Sequence, residues 1–342
     1  MSSAETSAPS PGLFFETINA YQRTAALKAG VELGVFTVLA SGVATAEGVA
    51  ERCQCPVRGV RILCDSLAIF GLLTKVDGRY FLTQDSALFL DQNSSAYLGG
   101  MLQFMLAPSI IEAFSDLAST VRSGRVHTSK DGTTAPDHPV WVEFAKVMRP
   151  MMQGAAQAVA GLVPPVQVDA TRQAKVLDIS ASHGAFGIAF AQQHPGVHLV
   201  ALDWEAVLAV TEANAKSAGL ADRFSKLVGD AFTVDLGTDY DVVLVPNFLH
   251  HFNIADCTRF LKRVKAALRP GGRVVIVEFV PNEDRITPPP SASFSLVMLG
   301  TTPEGDAYTF GEYQGMLAGA GFRDAVLHPL LPTAQSAVIA VA

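Results

Sequence analysis

The sequence predicts an α/β protein in two parts, a mainly α-helical first half followed by a mostly parallel, seven-stranded sheet with helices between its strands. Three observations predict it. The chain has 342 residues, about twice a usual domain, so two domains are expected. Apolar residues recur at helical spacing through the first half. After Thr171 short Val/Leu/Ile runs alternate with helical stretches, the mark of βαβ units.

Taken in order, Met1 to Gly12 has neither a basic start nor an apolar run and reads as a disordered tail, not a signal peptide. From Leu13 to Leu39 residues such as Phe14, Ile18, Tyr21, Val31 and Phe36 put apolar character on more than one helical face. Helices of that kind bury themselves against a partner, so a homodimer built through residues 13–40 is expected. Thr45 can cap a short helix starting at Ala46, and Pro56 suits the first turn of a second helix running to Phe70. Leu73 to Val76 and Arg79 to Leu82 flank Asp77-Gly78, a two-residue hairpin signal. Helix, helix and hairpin make a winged-helix pattern. Its second helix offers only Arg58 and Arg61 before turning apolar, whereas a DNA-reading helix presents polar side chains to base edges. The wing is therefore expected to pack in a dimer.

Helices are expected over Tyr97 to Val121 and Val140 to Val163, separated by a polar, flexible loop from Ser123 to His138, with Pro164-Pro165 marking the domain boundary. The resulting division is a tail (1–12), a winged-helix dimerisation unit (13–100), a helical linker lining a substrate pocket (101–165) and the sheet domain (166–342). Strands are expected near 175–179, 198–202, 224–228, 240–245, 273–279, 322–328 and 335–341, the last two forming a closing antiparallel hairpin. Pro288-Pro289-Pro290 reads as a stiff linker.

Bulk properties exclude several functions. With 25 Lys and Arg against 32 Asp and Glu the formal charge is -7, which opposes a nucleic-acid partner. Cys53, Cys55, Cys64 and Cys257 are too few and too irregular for a disulfide framework, and Cys53-Gln54-Cys55 lacks the further ligands of a zinc site, so no metal is expected. No apolar run is long enough to span a bilayer, and a cytoplasmic protein is expected.

The chemistry collects at strand ends. Val176-Leu177-Asp178-Ile179 turns through Ser180-Ala181-Ser182-His183-Gly184 into a helix, so main-chain amides can approach a ligand closely. Asp203 closes the next strand, where a carboxylate can accept hydrogen bonds from both hydroxyls of a ribose. Gly229-Asp230-Ala231-Phe232 adds a further acid and a ring suited to an adenine amino group and its face. A single strand-end acid is more often structural than ligand-binding. Together the three point to one adenosyl ligand on a Rossmann-like sheet.

Here the sequence resembles the class I S-adenosylmethionine-dependent methyltransferases, and more closely the small-molecule O-methyltransferases of plants and bacteria that carry a winged-helix dimerisation domain. The resemblance runs from Leu13 onward and is most specific over Asp241-Val-Val-Leu-Val-Pro-Asn-Phe-Leu-His250-His251-Phe252, followed by Cys257, Leu268-Arg-Pro-Gly-Gly272 and a strand ending at Glu278. It implies S-adenosylmethionine as cofactor and S-adenosylhomocysteine as product, with Asp178, Ser180, Gly184, Asp203, Trp204, Asp230, Ala231, Phe232 and Asn247 in the cofactor site. It further implies His250 as general base, Glu278 as an acid flanking it, and His251 as a further catalytic candidate where the family usually has Asp. Phe144-Ala-Lys-Val-Met148 matches a Phe-x-x-x-Met segment lining the pocket, joined by Phe294 and Met298, although core packing is the ordinary role of residues so spaced.

The departures are specific. The family's turn is commonly Asp-x-Gly-x-Gly-x-Gly, whereas Ser180 and Ser182 replace its first two glycines here and only Gly184 is kept. Serine is expected in such a turn only with negative φ, so the loop should differ in geometry or carry strain. A second family acid falls at Ala307, leaving the base either one acidic orienter or Asp306 through a shifted loop. A family lysine falls at Pro246. The bland reading of His250 is a helix-start histidine satisfied by hydrogen bonds. His251 could pack outward, and His183 either touches the methionine carboxylate or is an exposed loop histidine.

The expected function is methylation of a hydroxyl on a small aromatic or polyketide-like metabolite, a neutral histidine removing the hydroxyl proton. N- or C-methylation in the same fold is the nearest alternative. From other classes, a nicotinamide oxidoreductase is disfavoured by the missing pyrophosphate glycines, and a non-catalytic winged-helix regulator by the net charge.

Overall fold

The computed structural model describes residues 9–163 and 173–342. The first eight residues of the expected tail and the Pro164-Pro165 boundary lie outside them. The described residues fall into two compact units that divide between Leu102 and Gln103.

In the first unit the apolar run from Leu13 forms three helices, Gly12–Ile18, Ala20–Glu32 and Val35–Ala40, interrupted at Asn19 and at Gly34, whose φ is 70°. The Thr45 side chain accepts the Gly48 N–H and caps helix Ala46–Arg52, and Val57–Ile69 follows. Strands β1 (Leu73–Val76) and β2 (Arg79–Leu82) pair antiparallel across Asp77 and Gly78, both with positive φ. Val35, Phe36, Val49, Val60, Leu67 and Tyr80 form the core of this unit. Helix Gly12–Ile18 buries no side chain, leaving Leu13, Phe14, Ile18 and the neighbouring Tyr21 exposed.

Two expected long helices are corrected. The stretch after Tyr97 is broken into short pieces, among them Pro108–Ala113 and Leu117–Ser123, because Pro108 and the capping side chain of Asp116 each start a new helix. Val140 to Val163 is likewise two helices, Val140–Val147 and Arg149–Leu162, with Pro150 in the first turn of the second. The loop from Ser123 to His138, expected to be flexible, is tied down: Val126 N–H donates to the Thr302 carbonyl, and the Thr133 hydroxyl to that of Thr301 at 3.2 Å. Pro288-Pro289-Pro290 is not a plain linker either, since Pro289 opens the short helix Pro289–Ala292.

All seven expected strands of the second half form: β3 (Ala174–Ile179), β4 (Val197–Asp203), β5 (Phe224–Val228), β6 (Tyr240–Pro246), β7 (Leu268–Glu278), β8 (Arg323–Pro329) and β9 (Ser336–Val341). Their order is β5-β4-β3-β6-β7-β9-β8, parallel except that β9 runs antiparallel to both of its neighbours. β7 starts earlier than expected, at Leu268, which pairs with Tyr240 across a register shift. Helix Ile254–Ala267 places Cys257, Phe260, Leu261 and Val264 at helical spacing into the same core as Val243, Val245 and Ile276. Strand order reverses between β3 and β6, so a crevice opens at their carboxyl ends.

Candidate active site

The carboxyl ends of β3 to β7 carry every cluster described below. In β3, Asp178 Oδ2 accepts the Gly187 N–H of the following helix, Ala185–Gln193, at 2.9 Å. A Cβ on Gly187 would stand 2.7 Å from that oxygen and 2.6 Å from Leu199, so only glycine lets helix and strand approach this closely. Burial raises the Asp178 carboxyl to about 8.

The turn after β3 does not have the negative φ expected of serine and takes the strained alternative. Ser180 and Ser182 have φ of 52° and 53°, the left-handed region that glycine would occupy freely. The surroundings impose it: Ala181 N–H donates to the Leu202 carbonyl at 3.0 Å, Ser182 N–H to Asp203 Oδ2 at 2.9 Å, and the Thr211 hydroxyl to the Ser182 carbonyl at 2.5 Å. Gly184, φ 75°, then opens the helix.

Asp203 is buried at the end of β4, its other oxygen accepting the Trp204 N–H at 2.8 Å, and burial lifts it to about 6. His183 is buried, not exposed. Its Nδ1 accepts the Ala185 N–H at 3.1 Å, which places the proton on Nε2, and burial, then the Arg149 charge, hold it down to about 3. Beyond β5, Asp230 Oδ1 accepts the Phe232 N–H at 2.9 Å, with Ala231 buried between them. The Phe232 ring packs among Phe248, Phe252 and Phe260.

Asp178 Oδ1 and Ser182 Oγ are buried without a hydrogen-bond partner among the described residues. Three carboxylates on adjacent strand ends and this unspent bonding capacity fit a ligand that carries an ammonium group, ribose hydroxyls and an adenine amino group.

A second cluster lies beyond β6 and β7. Glu278, fully buried, accepts the N–H groups of Phe248 and Leu249 on Oε1 at 3.0 and 2.9 Å, and binds His250 Nδ1 through Oε2. The 3₁₀ turn Leu249–His251 brings the two histidines together, Nε2 to Nε2, at 3.1 Å. His251 does not pack outward: its ring meets Trp141 edge-on at 5.2 Å. Burial, and then His250, push it well below the ordinary imidazole range.

Phe294 stands edge-on to His250 at 4.9 Å and stacks on Phe279 at 4.1 Å, while Phe144 meets Trp141 at 5.8 Å and stacks on His183 at 5.9 Å. Aromatic rings thus run from the serine turn to the histidine pair. Met148 and Met298 are buried in the two helical segments that supply Phe144 and Phe294. Sequence reasoning missed Trp141 and Phe279. The three-residue spacing from Trp141 to Phe144 on one helical face was the available signal for the former.

Asn247 spends its side chain inside the protein, accepting from Gln335 Nε2 at 2.5 Å. The alternative of Asp306 as a second orienter is set aside, because its carboxylate accepts from Arg285 at 3.2 Å and from the Ala307 N–H. Only its main-chain N–H reaches the other cluster, donating to the His250 carbonyl at 3.0 Å.

Residues 114–323 match the O-methyltransferase domain family, and residues 15–92 the O-methyltransferase dimerisation domain. A curated relative, the 3-hydroxy-5-methyl-1-naphthoate 3-O-methyltransferase of Streptomyces sahachiroi, is 28% identical, covering 91% of this chain and 89% of its own. The tetracenomycin polyketide synthesis 8-O-methyl transferase of Streptomyces glaucescens is 26% identical, with 92% of each chain covered. Among solved structures, a candidate O-methyltransferase from Nostoc punctiforme is 50% identical and superposes with a TM-score of 0.94, covering 98% of this chain and 100% of that one.

Proposed function

The chain belongs to the O-methyltransferase family and is an S-adenosylmethionine-dependent methyltransferase, and we propose that it methylates a hydroxyl of an aromatic or polyketide-like small molecule with His250 as general base. The carrying observation is the Glu278–His250 hydrogen bond inside an aromatic enclosure. Two relatives named for O-methylation of a naphthoate and of a tetracenomycin polyketide support an acceptor of this type.

When bound, S-adenosylmethionine supplies a methyl group already activated by cationic sulfur. Asp203 would accept its ribose hydroxyls and Asp230 its adenine amino group. Asp178, Ser180, Gly184, Trp204, Ala231 and Phe232 would complete the site, with Asn247 contributing its main chain. Glu278 keeps a proton on His250 Nδ1, so the Nε2 lone pair is the basic one, worth about 10²–10⁴-fold in rate. Trp141, Phe144, Phe294, Met148 and Met298 would hold a flat acceptor and exclude water.

The dimerisation-domain match and the exposed Leu13, Phe14, Ile18 and Tyr21 support a homodimer. Among the described residues no helix is long and apolar enough to cross a membrane, and the four cysteines are free thiols, as suits a cytoplasmic enzyme.

The test is methyl transfer from labelled S-adenosylmethionine to matched panels of phenols and amines. Phenol methylation lost about a hundredfold in His250→Gln, with S-adenosylhomocysteine affinity kept, is expected. Methylation of amines alone, or undiminished turnover by His250→Gln, overturns the reading.

A further inference from the structure

Both ring nitrogens of His250 are engaged inside the protein, Nδ1 by the Glu278 carboxylate and Nε2 by His251 Nε2 at 3.1 Å. A carboxylate accepts, so neutral His250 carries its proton on Nδ1 and its lone pair on Nε2. Two imidazole nitrogens this close share one proton, which must then sit on His251 Nε2. The lone pair of neutral His251 is therefore on Nδ1. That atom is buried and has no hydrogen-bond partner among the described residues, in a ring covered edge-on by Trp141. Of the four ring nitrogens, the one with an unspent lone pair belongs to His251, not to His250.

We propose that His251 is a catalytic residue that takes the acceptor's hydroxyl proton on Nδ1 while its own Nε2 proton passes to His250 Nε2. The proposal rests on the reading of His250 as general base and supplies the route by which the proton reaches it. The acceptor O–H bond breaks and a His251 Nδ1–H bond forms; the His251 Nε2–H bond breaks and a His250 Nε2–H bond forms. The acceptor oxygen keeps the electron pair with which it attacks the methyl group. His251 ends neutral in its other tautomer, and His250 ends as an imidazolium against Glu278. This end point suits the surroundings. Burial disfavours a cation on His251, whereas a carboxylate touches His250 directly.

Two measurements test the relay. Nitrogen-15 NMR of histidine-labelled protein without acceptor should find His251 protonated at Nε2 and bare at Nδ1; a proton on Nδ1 overturns the proposal, and this readout needs no variant. In turnover assays His251→Asn and His251→Gln should each lower kcat by about a hundredfold, as His250→Gln does. KM and S-adenosylhomocysteine affinity should stay within about twofold. The His250→Gln/His251→Gln double variant should lose no more than the worse single one, because relay members act as a unit. If His250→Gln loses a hundredfold while both His251 variants keep more than about a tenth of the activity, the relay falls and the reading of His250 stands. If His250→Gln also keeps its activity, both fall. Losses that multiply in the double variant, or that come with lost S-adenosylhomocysteine affinity, overturn the relay as well.

Discussion

Asp203 at the end of β4 holds the main-chain N–H of Ser182 at 2.9 Å, across the turn that follows β3. One carboxylate thus fixes a strained turn and, in the proposed cofactor site, would also accept from a ligand. Asp203→Ala should weaken S-adenosylhomocysteine binding by at least about tenfold while the protein still unfolds cooperatively, since a charged acceptor of two hydroxyl bonds is lost. Calorimetric affinity equal to wild type would remove Asp203 from the cofactor site.

The same residue predicts a pH dependence. Burial places its folded pKa at about 6, above the ordinary 3.8. Its contribution to the stability of the ligand-free protein is therefore fully present below the unfolded value and is lost as pH rises through the folded one. Ligand binding has the opposite sign, because the ionised carboxylate is the better acceptor for two hydroxyls. S-adenosylhomocysteine affinity should rise from about pH 5 to about pH 7, across the folded pKa, and Asp203→Asn should flatten that rise. A rise kept by Asp203→Asn assigns it to another group.

Ser182→Gly tests the turn. The left-handed conformation costs a non-glycine residue about 1–2 kcal/mol, and glycine gives back roughly 0.5–1 kcal/mol through unfolded-state entropy. The balance favours a variant more stable by up to about 1 kcal/mol, read as a higher denaturant midpoint; Ser182→Ala sheds the same buried, unpartnered hydroxyl but keeps the left-handed strain, so it should gain less than the glycine variant. A glycine variant no more stable than Ser182→Ala would mean that the left-handed backbone at Ser182 carries no cost that glycine relieves.

Phe14 and Ile18 are 63% and 55% exposed on a helix that buries nothing in its own unit. Covering them is the work expected of a second copy. The wild type is expected to run as a dimer in light scattering at micromolar concentration, and the Phe14→Asp/Ile18→Asp double variant as a monomer. A wild-type monomer overturns the homodimer, and a dimer that tolerates both aspartates moves the interface elsewhere.

These predictions draw unequally on what the sequence made legible. All seven sheet strands could be read because β-branched runs such as Val242 to Val245 bury both faces of a parallel strand. Thr45 and Asp77-Gly78 declared their cap and turn through local chemistry. Pro108 and Pro150 lay in plain view, yet an apolar period running across them suggested unbroken helices, and backbone sterics overrode the period. At the candidate site, the positions of Asp178, Asp203 and Glu278 at the ends of their strands, and of His250 just beyond β6, could be read because strand ends are fixed points of the fold. What remained hidden was non-local: the left-handed serines are imposed by Leu202, Asp203 and Thr211, the pairing of Asp306 depends on Arg285, and the orientation of His251 depends on Trp141.

Glu278→Gln separates orientation from architecture. Its Oε1 accepts the N–H groups of Phe248 and Leu249, so the oxygen of a glutamine is held on that side and its NH₂ faces His250 Nδ1. A donor there forces His250 into the tautomer whose proton is on Nε2, where it can no longer accept one. The fold and the S-adenosylhomocysteine affinity should survive, because the main-chain bonds are kept. Turnover on a weakly acidic phenol should fall by about a hundredfold or more, the scale on which a misplaced tautomer disables a histidine base. A phenol acidic enough to be ionised before it binds needs no base and should lose little. The measurement is kcat for both proteins along a series of phenols of graded acidity. A loss that shrinks as the phenol becomes more acidic identifies proton removal as the step that Glu278 serves. A loss equal for every phenol would mean that Glu278 only holds the 248–250 main chain in place.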